Sequence, residues 1–553
     1  MENFEIVIFI MAILIALSAF ADKIKLPYPI LLIVVGLIIG FVPALPDLEL
    51  NPEIVFLAFL PPLLFDAAFK TSWHDFKKEI RPISTLAITL VFFTTVTVGI
   101  AAHYLIPGFS WPLSFVLGAI VSPPDAVAAT SITKGLGLNR RVITIIEGES
   151  LVNDASALIA YRYAVAAAVS GTFVLWKAGL EFLMVAGGGI AAGLFIGFIM
   201  VYAHKKIKDN TIVENSLSLL TPFIAYLLAE HFHTSGVLAV VTAGLFISWR
   251  SREVFSPETR LQTKVVWDTI IFLLNGIVFI LIGLQMPAII KGLRTITVFS
   301  LVGYGLIISL VTIIIRILWV FAGAYHQKLL RSKNKEQKQR DESDQNSWKN
   351  VLVVAWTGTR GVVSLATALA LPLTLSDGSA FPRRHSILLL SFIVILVTLV
   401  VQGLTLPLLI RLLKIKPQDN IQKQEEKDMR LTIAEHILRF INHDFPLELD
   451  ETVMERIRKP YEANYELLSK EVLGKRRRKR EQAEHKTFIS QSLSAQLAII
   501  KYERDLLIGF HKEGTYNDET ITKAERELDL EELRLQALVA KGEDSDIEIQ
   551  TPD

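Results

Sequence analysis

Residues 147 to 154 read Glu147-Gly-Glu-Ser-Leu-Val-Asn-Asp154, which sets three carboxylates, one hydroxyl and one amide inside a single short stretch. Oxygen donors of this kind can hold a proton or a small hard cation. The stretch opens an apolar segment, 142–169, that is long enough to cross a membrane. A charge at the centre of a membrane helix costs about 2.5–3.5 kcal/mol on insertion scales, so such groups face a cavity or a partner and mark ion or proton paths. On a helix each residue advances about 100°. Glu149 and Asn153 therefore share one face, and Ser150 and Asp154 the adjacent one. The two acids point about 140° apart. That arrangement suits one exchangeable site and one structural ion pair.

Two further segments carry chemistry. Ser122-Pro123-Pro124-Asp125 places two consecutive prolines in an apolar run. They remove two backbone donors and disfavour helix in the residues before them. The helix is expected to break there and to leave unpaired carbonyls beside Asp125, an oxygen set suited to an alkali cation. Thr357-Gly358-Thr359-Arg360-Gly361 flanks an intramembrane arginine with two glycines that weaken the helix. Arg360 keeps its charge and needs a carboxylate, for which Glu149 is the expected partner. The other charges in or near spans read as structural or interfacial. Asp66 and Asp268 lie near one set of span ends, and Glu230 with His231 and His233 near the other; Arg316 either pairs with a neighbouring acid or reaches the interface.

These residues need a membrane scaffold, and the composition supplies one. The 553 residues are 52% hydrophobic with a mean hydropathy of +0.44. There is no cysteine, which excludes disulfides and thiolate chemistry, and a net charge of +1 says nothing for a nucleic-acid partner. Thirteen segments read as spans: 4–20, 27–46, 53–69, 82–106, 112–133, 142–169, 179–203, 215–232, 235–249, 266–289, 296–324, 349–374 and 385–412. With the amino terminus outside, the inner loops hold 26 Lys and Arg, whereas the outer loops hold only Lys177, Lys291, Arg294, Arg383 and Arg384. This positive-inside bias sets the orientation and agrees with an odd span count.

The expected organisation is thus an all-α polytopic membrane domain, 1–413, followed by a polar, mostly helical cytoplasmic tail, 414–553. The interrupted spans, 5 and 12, are seven apart in order, which points to two inverted repeats, spans 1–6 and 8–13, with span 7 as linker. In the tail, Gly474-Lys-Arg-Arg-Arg-Lys-Arg480 could meet anionic lipid or form a solvated helix face. Helical stretches are expected at Arg430–Asn442, Leu493–Phe510 and Ile521–Val539, and the acidic end Gly542–Asp553 reads as disordered.

Five segments in order, together covering spans 2 to 12, resemble the cation:proton antiporter-1 family, the Na⁺/H⁺ exchangers, in particular bacterial NhaP-type and plasma-membrane-exchanger-like members. They are Pro27-Tyr-Pro-Ile-Leu-Leu-Ile-Val-Val-Gly-Leu, Leu60-Pro-Pro-Leu-Leu-Phe-Asp-Ala-Ala-Phe, Gly118-Ala-Ile-Val-Ser-Pro-Pro-Asp-Ala-Val-Ala, Glu147-Gly-Glu-Ser-Leu-Val-Asn-Asp-Ala and Gly358-Thr-Arg-Gly-Val-Val-Ser-Leu-Ala. The resemblance implies an NhaA/NhaP-like fold and a homodimer in the plasma membrane, with no bound cofactor beyond the transported Na⁺ and H⁺. It implies that Asp154 binds the cation and the proton, that Asp125, Ser150, Asn153 and the carbonyl of Pro124 complete the site, and that Asp154, Asp125 and Ser150 are the direct Na⁺ ligands. It implies that Glu149 and Arg360 form a buried ion pair to which Asn153 hydrogen-bonds, and that an Asn-Asp pair goes with electroneutral exchange. One departure stands out: where relatives read Thr-Asp-Pro, this chain reads Pro124-Asp125-Ala126, which keeps the carbonyl and loses the hydroxyl. The expected mechanism is competition of one Na⁺, or Li⁺ or K⁺, with one H⁺ at Asp154 under alternating access. A gated cation channel or a membrane sensor is the competing class. The chain carries no His-Glu-x-x-His, phosphate loop or serine elbow, so it reads as no enzyme.

Overall fold

The computed structural model describes residues 11–17, 28–42, 52–125, 138–170, 175–207, 210–293, 296–331, 348–375, 378–414, 419–444 and 450–473, with scattered positions elsewhere. Residues 4–10 of the first expected span, Ala126, the basic run 474–480, most of 493–539 and the acidic end 542–553 lie outside the described residues. The chain separates into two compact units, Met1–Asp419 and Asn420–Asp553.

The described regular structure is helical, apart from one isolated bridge between Thr374 and Ala380. In the first unit the helices are α1 (Tyr28–Gly40), α2 (Pro52–Lys70), α3 (Trp73–Lys78), α4 (Ile80–Leu105), α5 (Trp111–Val121), α6 (Arg140–Ser170) and α7 (Leu175–Lys206). They continue as α8 (Thr211–His231), α9 (Gly236–Val254), α10 (Pro257–Lys291), α11 (Val298–Arg331), α12 (Trp348–Trp356), α13 (Val362–Leu369) and α14 (Arg384–Leu412). Two contain π-helical stretches, Thr85–Leu90 in α4 and Leu399–Gly403 in α14. The second unit contains α15 (Asp419–Arg439), which begins at the unit boundary, and α16 (Glu451–Leu473).

Among the described residues, six helices are long and apolar enough to cross a membrane: α4, α8, α14 and the segments Glu181–Lys206, Thr259–Lys291 and Val298–Tyr325. α6 has the length, with 31 residues, but Glu147, Glu149, Asp154 and Arg162 break its apolar run. Large apolar side chains point outward from α7 and α11, with Phe198 65% and Phe299 89% exposed. By contrast, α5 is buried along almost its whole length, from Leu113 to Val121. The outside is therefore oily and the polar groups lie within, the reverse of a soluble bundle.

Close helix contacts follow small residues. α1 crosses α10 where Gly36 meets Ile280 and Gly283 meets Leu37; a Cβ at Gly283 would lie 2.3 Å from the Leu37 nitrogen. The main apolar core gathers Leu117, Ile120 and Val121 of α5 with Phe279 and Ile280 of α10 and Leu388 to Ile395 of α14. Two ion pairs tie helices at opposite ends. Lys70 bridges Asp66 (2.8 Å) and Asp268 (2.7 Å), joining α2 to α10, and Arg162 meets Glu230 at 2.7 Å, joining α6 to α8.

Candidate ion site at the helix break

α5 ends at Val121, and Ser122 to Asp125 run on without helix. In a continued helix the carbonyls of Ala119 and Ile120 would need N–H groups at positions 123 and 124, which are prolines. The Ser122 hydroxyl answers one, donating to the Ala119 carbonyl at 3.1 Å. On the other side, α12 ends at Trp356 and α13 begins at Val362, with Thr357 to Gly361 non-helical between them.

The two non-helical segments cross and bond. The Asp125 amide donates to the Thr359 carbonyl at 2.6 Å, and the Thr359 hydroxyl donates to the Asp125 carbonyl at 3.1 Å. Because the Asp125 N–H is spent there, the Val121 carbonyl loses its helical donor. Arg360 Nε supplies one at 3.0 Å, while Nη1 donates to the Gly358 carbonyl and the Arg360 amide donates to Thr398 Oγ1 at 3.1 Å. Thr398 stands immediately before the π-helical stretch of α14. Across the crossing, Asp125 Oδ2 accepts the first amide of α13, from Val362, at 3.3 Å. A cation thus sits on the carbonyl end of α5 and an anion on the amide end of α13, each the favourable sign for that helix end, by about 0.3–1 kcal/mol. A Cβ at Gly361 would lie 1.6 Å from Asp125 Oδ2, so the carboxylate reaches the helix end only because residue 361 has no side chain.

These contacts correct three expectations. The carbonyls beside Asp125 are not left open: Pro124 accepts from Asn153 Nδ2 at 2.9 Å, and Asp125 from Thr359. Glu149 also has a different partner. Arg316 of α11 grips it with two parallel bonds, Nη1 to Oε1 at 2.5 Å and Nη2 to Oε2 at 2.9 Å, and Nη2 also donates to the Val354 carbonyl at 3.1 Å. The reason lies in the packing. α11 lies along α12 and delivers the planar fork of Arg316 to Glu149, whereas Arg360 rides on the non-helical segment and is drawn to orphaned carbonyls. Asn153 likewise ties α6 to Pro124 rather than linking Glu149 to Arg360, and among the described residues its Oδ1 has no partner. The guanidiniums remain neighbours. Gly358 lies between them, its Cβ position 2.4 Å from Arg316 Cδ and 3.2 Å from Arg360 Nη1.

Asp154 lies on the other face of α6, 5% exposed and within electrostatic range of Asp125. Among the described residues no hydrogen bond reaches its carboxylate, while Ser150, half-buried, stands one helical turn before it. The structure therefore gathers Asp125, Asn153, Asp154, Pro124 and Arg360 at the crossing, puts Glu149 behind them with Arg316, and leaves Glu147 half-buried near the start of α6. Sequence reasoning missed Thr359 and Thr398. Thr359 stood within the singled-out Gly-Thr-Arg-Gly stretch, whereas nothing about a threonine in an apolar run marks Thr398.

The geometry can be set beside known proteins. A family model described as "Sodium/hydrogen exchanger, transmembrane" matches residues 8–412. The chain belongs to the sodium/hydrogen exchanger family. An antiporter of Bacillus pumilus named for sodium, potassium, lithium and rubidium is 34% identical to this chain over 423 residues, covering 74% of this chain and 61% of that protein. This chain thus spans less than two thirds of the length of that relative. The Na⁺/H⁺ antiporter ApNhaP of Aphanothece halophytica is 34% identical over 451 residues, 80% of each chain. In fold, the sodium proton antiporter MjNhaP1 of Methanocaldococcus jannaschii superposes with a TM-score of 0.58 at 20% identity, covering 75% of this chain and 100% of that chain. With its several apolar helices, this family member is a membrane protein.

Proposed function

We propose that this family member is a secondary active antiporter that exchanges Na⁺, or Li⁺ or K⁺, for H⁺, one for one and without net charge movement, at Asp154. One observation carries the reading. Around the crossing, two guanidiniums, Arg316 and Arg360, face three carboxylates, Glu149, Asp125 and Asp154; the first carboxylate is matched by an ion pair and the second caps a helix. Among the described residues at the crossing, Asp154 is left with an uncompensated negative charge, which a single H⁺ or a single alkali cation neutralises. Asp125, Ser150, the Asn153 Oδ1 and the Pro124 carbonyl are the oxygens from which the cation site is built. An empty carboxylate is penalised in a dry barrier, so only the loaded or protonated site passes between the two sides. Alternating access of this kind couples the two flows. The two relatives, both named as cation/H⁺ antiporters, support the same assignment.

The finer architecture belongs to the same proposal. Thirteen spans in two inverted repeats broken at spans 5 and 12, an outside amino terminus, a cytoplasmic tail from 414 with a regulatory role, and a homodimer in the cell membrane fit a role in pH and sodium homeostasis. The test is ²²Na⁺ uptake driven by a pH gradient into proteoliposomes holding the full chain. Native protein exchanges at a rate that clamping the voltage leaves unchanged, and Asp154→Asn abolishes exchange. Uptake retained by Asp154→Asn sinks the assignment, and voltage-driven Na⁺ current without a proton gradient establishes a channel instead.

A further inference from the structure

A second buried carboxylate stands outside the exchange site. Glu214, in the first turn of α8, is 1% exposed, and among the described residues neither of its carboxylate oxygens has a hydrogen-bond partner. An ionisable residue this buried in a membrane protein, with no ion-pair partner among the described residues, is a candidate for function. The favourable field of the α8 amino terminus offsets only part of the penalty of burying an unpaired charge.

Its helix face carries further oxygen-bearing side chains. Thr211, Glu214 and Ser218 fall at i, i+3 and i+7 on one face of α8, and that face is turned to α10. Three polar rungs join the helices: Thr259 Oγ1 to Thr211 Oγ1 at 3.4 Å, Thr263 Oγ1 to Asn215 Oδ1 at 2.5 Å, and Trp267 Nε1 to Ser218 Oγ at 2.9 Å. Glu214 stands between the first rung and the third. Thr259, Thr263 and Ser218 are buried with it. The rungs consume hydroxyl hydrogens and leave lone pairs on Thr211 and Thr263. On α7, His204 is 1% exposed and packs its ring on Phe255, just before α10, at 4.7 Å, and among the described residues its Nδ1 has no partner.

We propose that Glu214, with the hydroxyl oxygens of Thr211, Thr259 and Thr263, forms a second monovalent-cation site, separate from Asp154. Carboxylate and hydroxyl oxygens are hard donors, and a single carboxylate balances a single positive charge. Ca²⁺ and Mg²⁺ draw on more carboxylates or a retained water shell. Under the orientation proposed above, on which this one clause rests, the site faces the cytoplasm beside Lys205 and Lys206 and lets internal cation stabilise or restrain the α8–α10 seam.

The test uses the full chain carrying Asp154→Asn, so that the exchange carboxylate is absent. Its thermal midpoint is measured in Na⁺, in K⁺ and in N-methyl-D-glucamine at fixed ionic strength and at several pH values. A shift of several degrees with Na⁺ or K⁺ is expected, and its loss in Asp154→Asn/Glu214→Gln. No shift in the single variant, an unchanged shift in the double variant, or a midpoint that follows pH alone overturns the site. If Glu214→Gln does not fold, equilibrium ²²Na⁺ binding to Asp154→Asn decides, with saturable binding expected and none overturning it. Glu214→Gln in an otherwise native chain keeps exchange but changes its dependence on internal cation severalfold; complete loss of exchange would put Glu214 in the transport path and overturn a separate site. Exchange persisting in Asp154→Asn would refute the exchange reading alone and leave the binding result standing.

Discussion

The two sides of α6 carry the same kind of group and treat it in opposite ways. Glu149 and Asp154 are five residues apart, both acids and both buried. On one side Arg316 meets Glu149 with a two-bond fork, so that carboxylate is neutralised and held. On the other side the charge that acts on Asp154 is another carboxylate, Asp125, and among the described residues nothing donates to Asp154. Burial alone therefore does not distinguish the two acids. The supply of counter-charge does, and among the described residues it is directed to the Glu149 face only. The arginine that could have served the second face, Arg360, is occupied by the carbonyl end of α5.

The comparison can be broken most severely at its two acids. Asp154→Asn should remove exchange while leaving the fold intact, whereas Glu149→Gln or Arg316→Met alone should lower stability, because one half of a buried pair is stranded at about 3–5 kcal/mol. Pairing Glu149→Gln with Arg316→Met should recover much of that loss. Thermal unfolding of the purified full chain beside proteoliposome flux separates the two outcomes. Similar melting of Asp154→Asn and Arg316→Met would erase the distinction drawn between the faces.

A substitution at the crossing comes next. Gly361→Ala puts a methyl where Asp125 Oδ2 lies, so the carboxylate must leave the α13 amino end. A strained or overpacked position of this kind loses about 1–3 kcal/mol, and the rate of ²²Na⁺ exchange should fall about tenfold or more. A native rate in Gly361→Ala would show that the cap is dispensable. Smaller still, Asn153→Ala deletes the bond to the Pro124 carbonyl, worth about 0.5–1.5 kcal/mol, and should raise the apparent KM for Na⁺ more than it lowers the maximal rate. Competition adds a sharper signature. Lowering pH on the cation side should raise that KM and leave the maximal rate unchanged at saturating Na⁺, and a purely non-competitive proton effect would contradict a shared site.

An acid in water gives the weakest effect and a reference for both buried ones. Asp450 precedes α16, and its Oδ1 accepts from the Thr452 amide at 2.9 Å and from the Thr452 hydroxyl at 2.5 Å. These bonds to the charged form hold its carboxyl below the ordinary range. The sign follows: its contribution to the start of α16 is fully present above the unfolded carboxylate value and is lost as pH falls through the lowered one. The hydrogen-exchange protection factor of the Thr452 amide, corrected for the intrinsic rate at each pH, should fall on acidification in the native chain but not in Asp450→Asn.

Much of this was legible in the residues because it is local. Consecutive prolines remove specific donors, glycines weaken a helix, and a fixed rotation per residue sends Glu149 and Asp154 in different directions whatever surrounds them. So the non-helical backbone at Ser122–Asp125 and Thr357–Gly361 and the opposite directions of Glu149 and Asp154 on α6 could be argued from the chain alone. The choice of partner could not. Glu149 and Arg316 are 167 residues apart and Arg360 and Val121 are 239 apart, and either arginine had the charge to serve Glu149. Only the packing of α11 beside α12, together with the carbonyls left orphaned where α5 stops, assigned one guanidinium to the carboxylate and the other to the helix end, because a charge pairs with whatever the folded helices bring within hydrogen-bond reach.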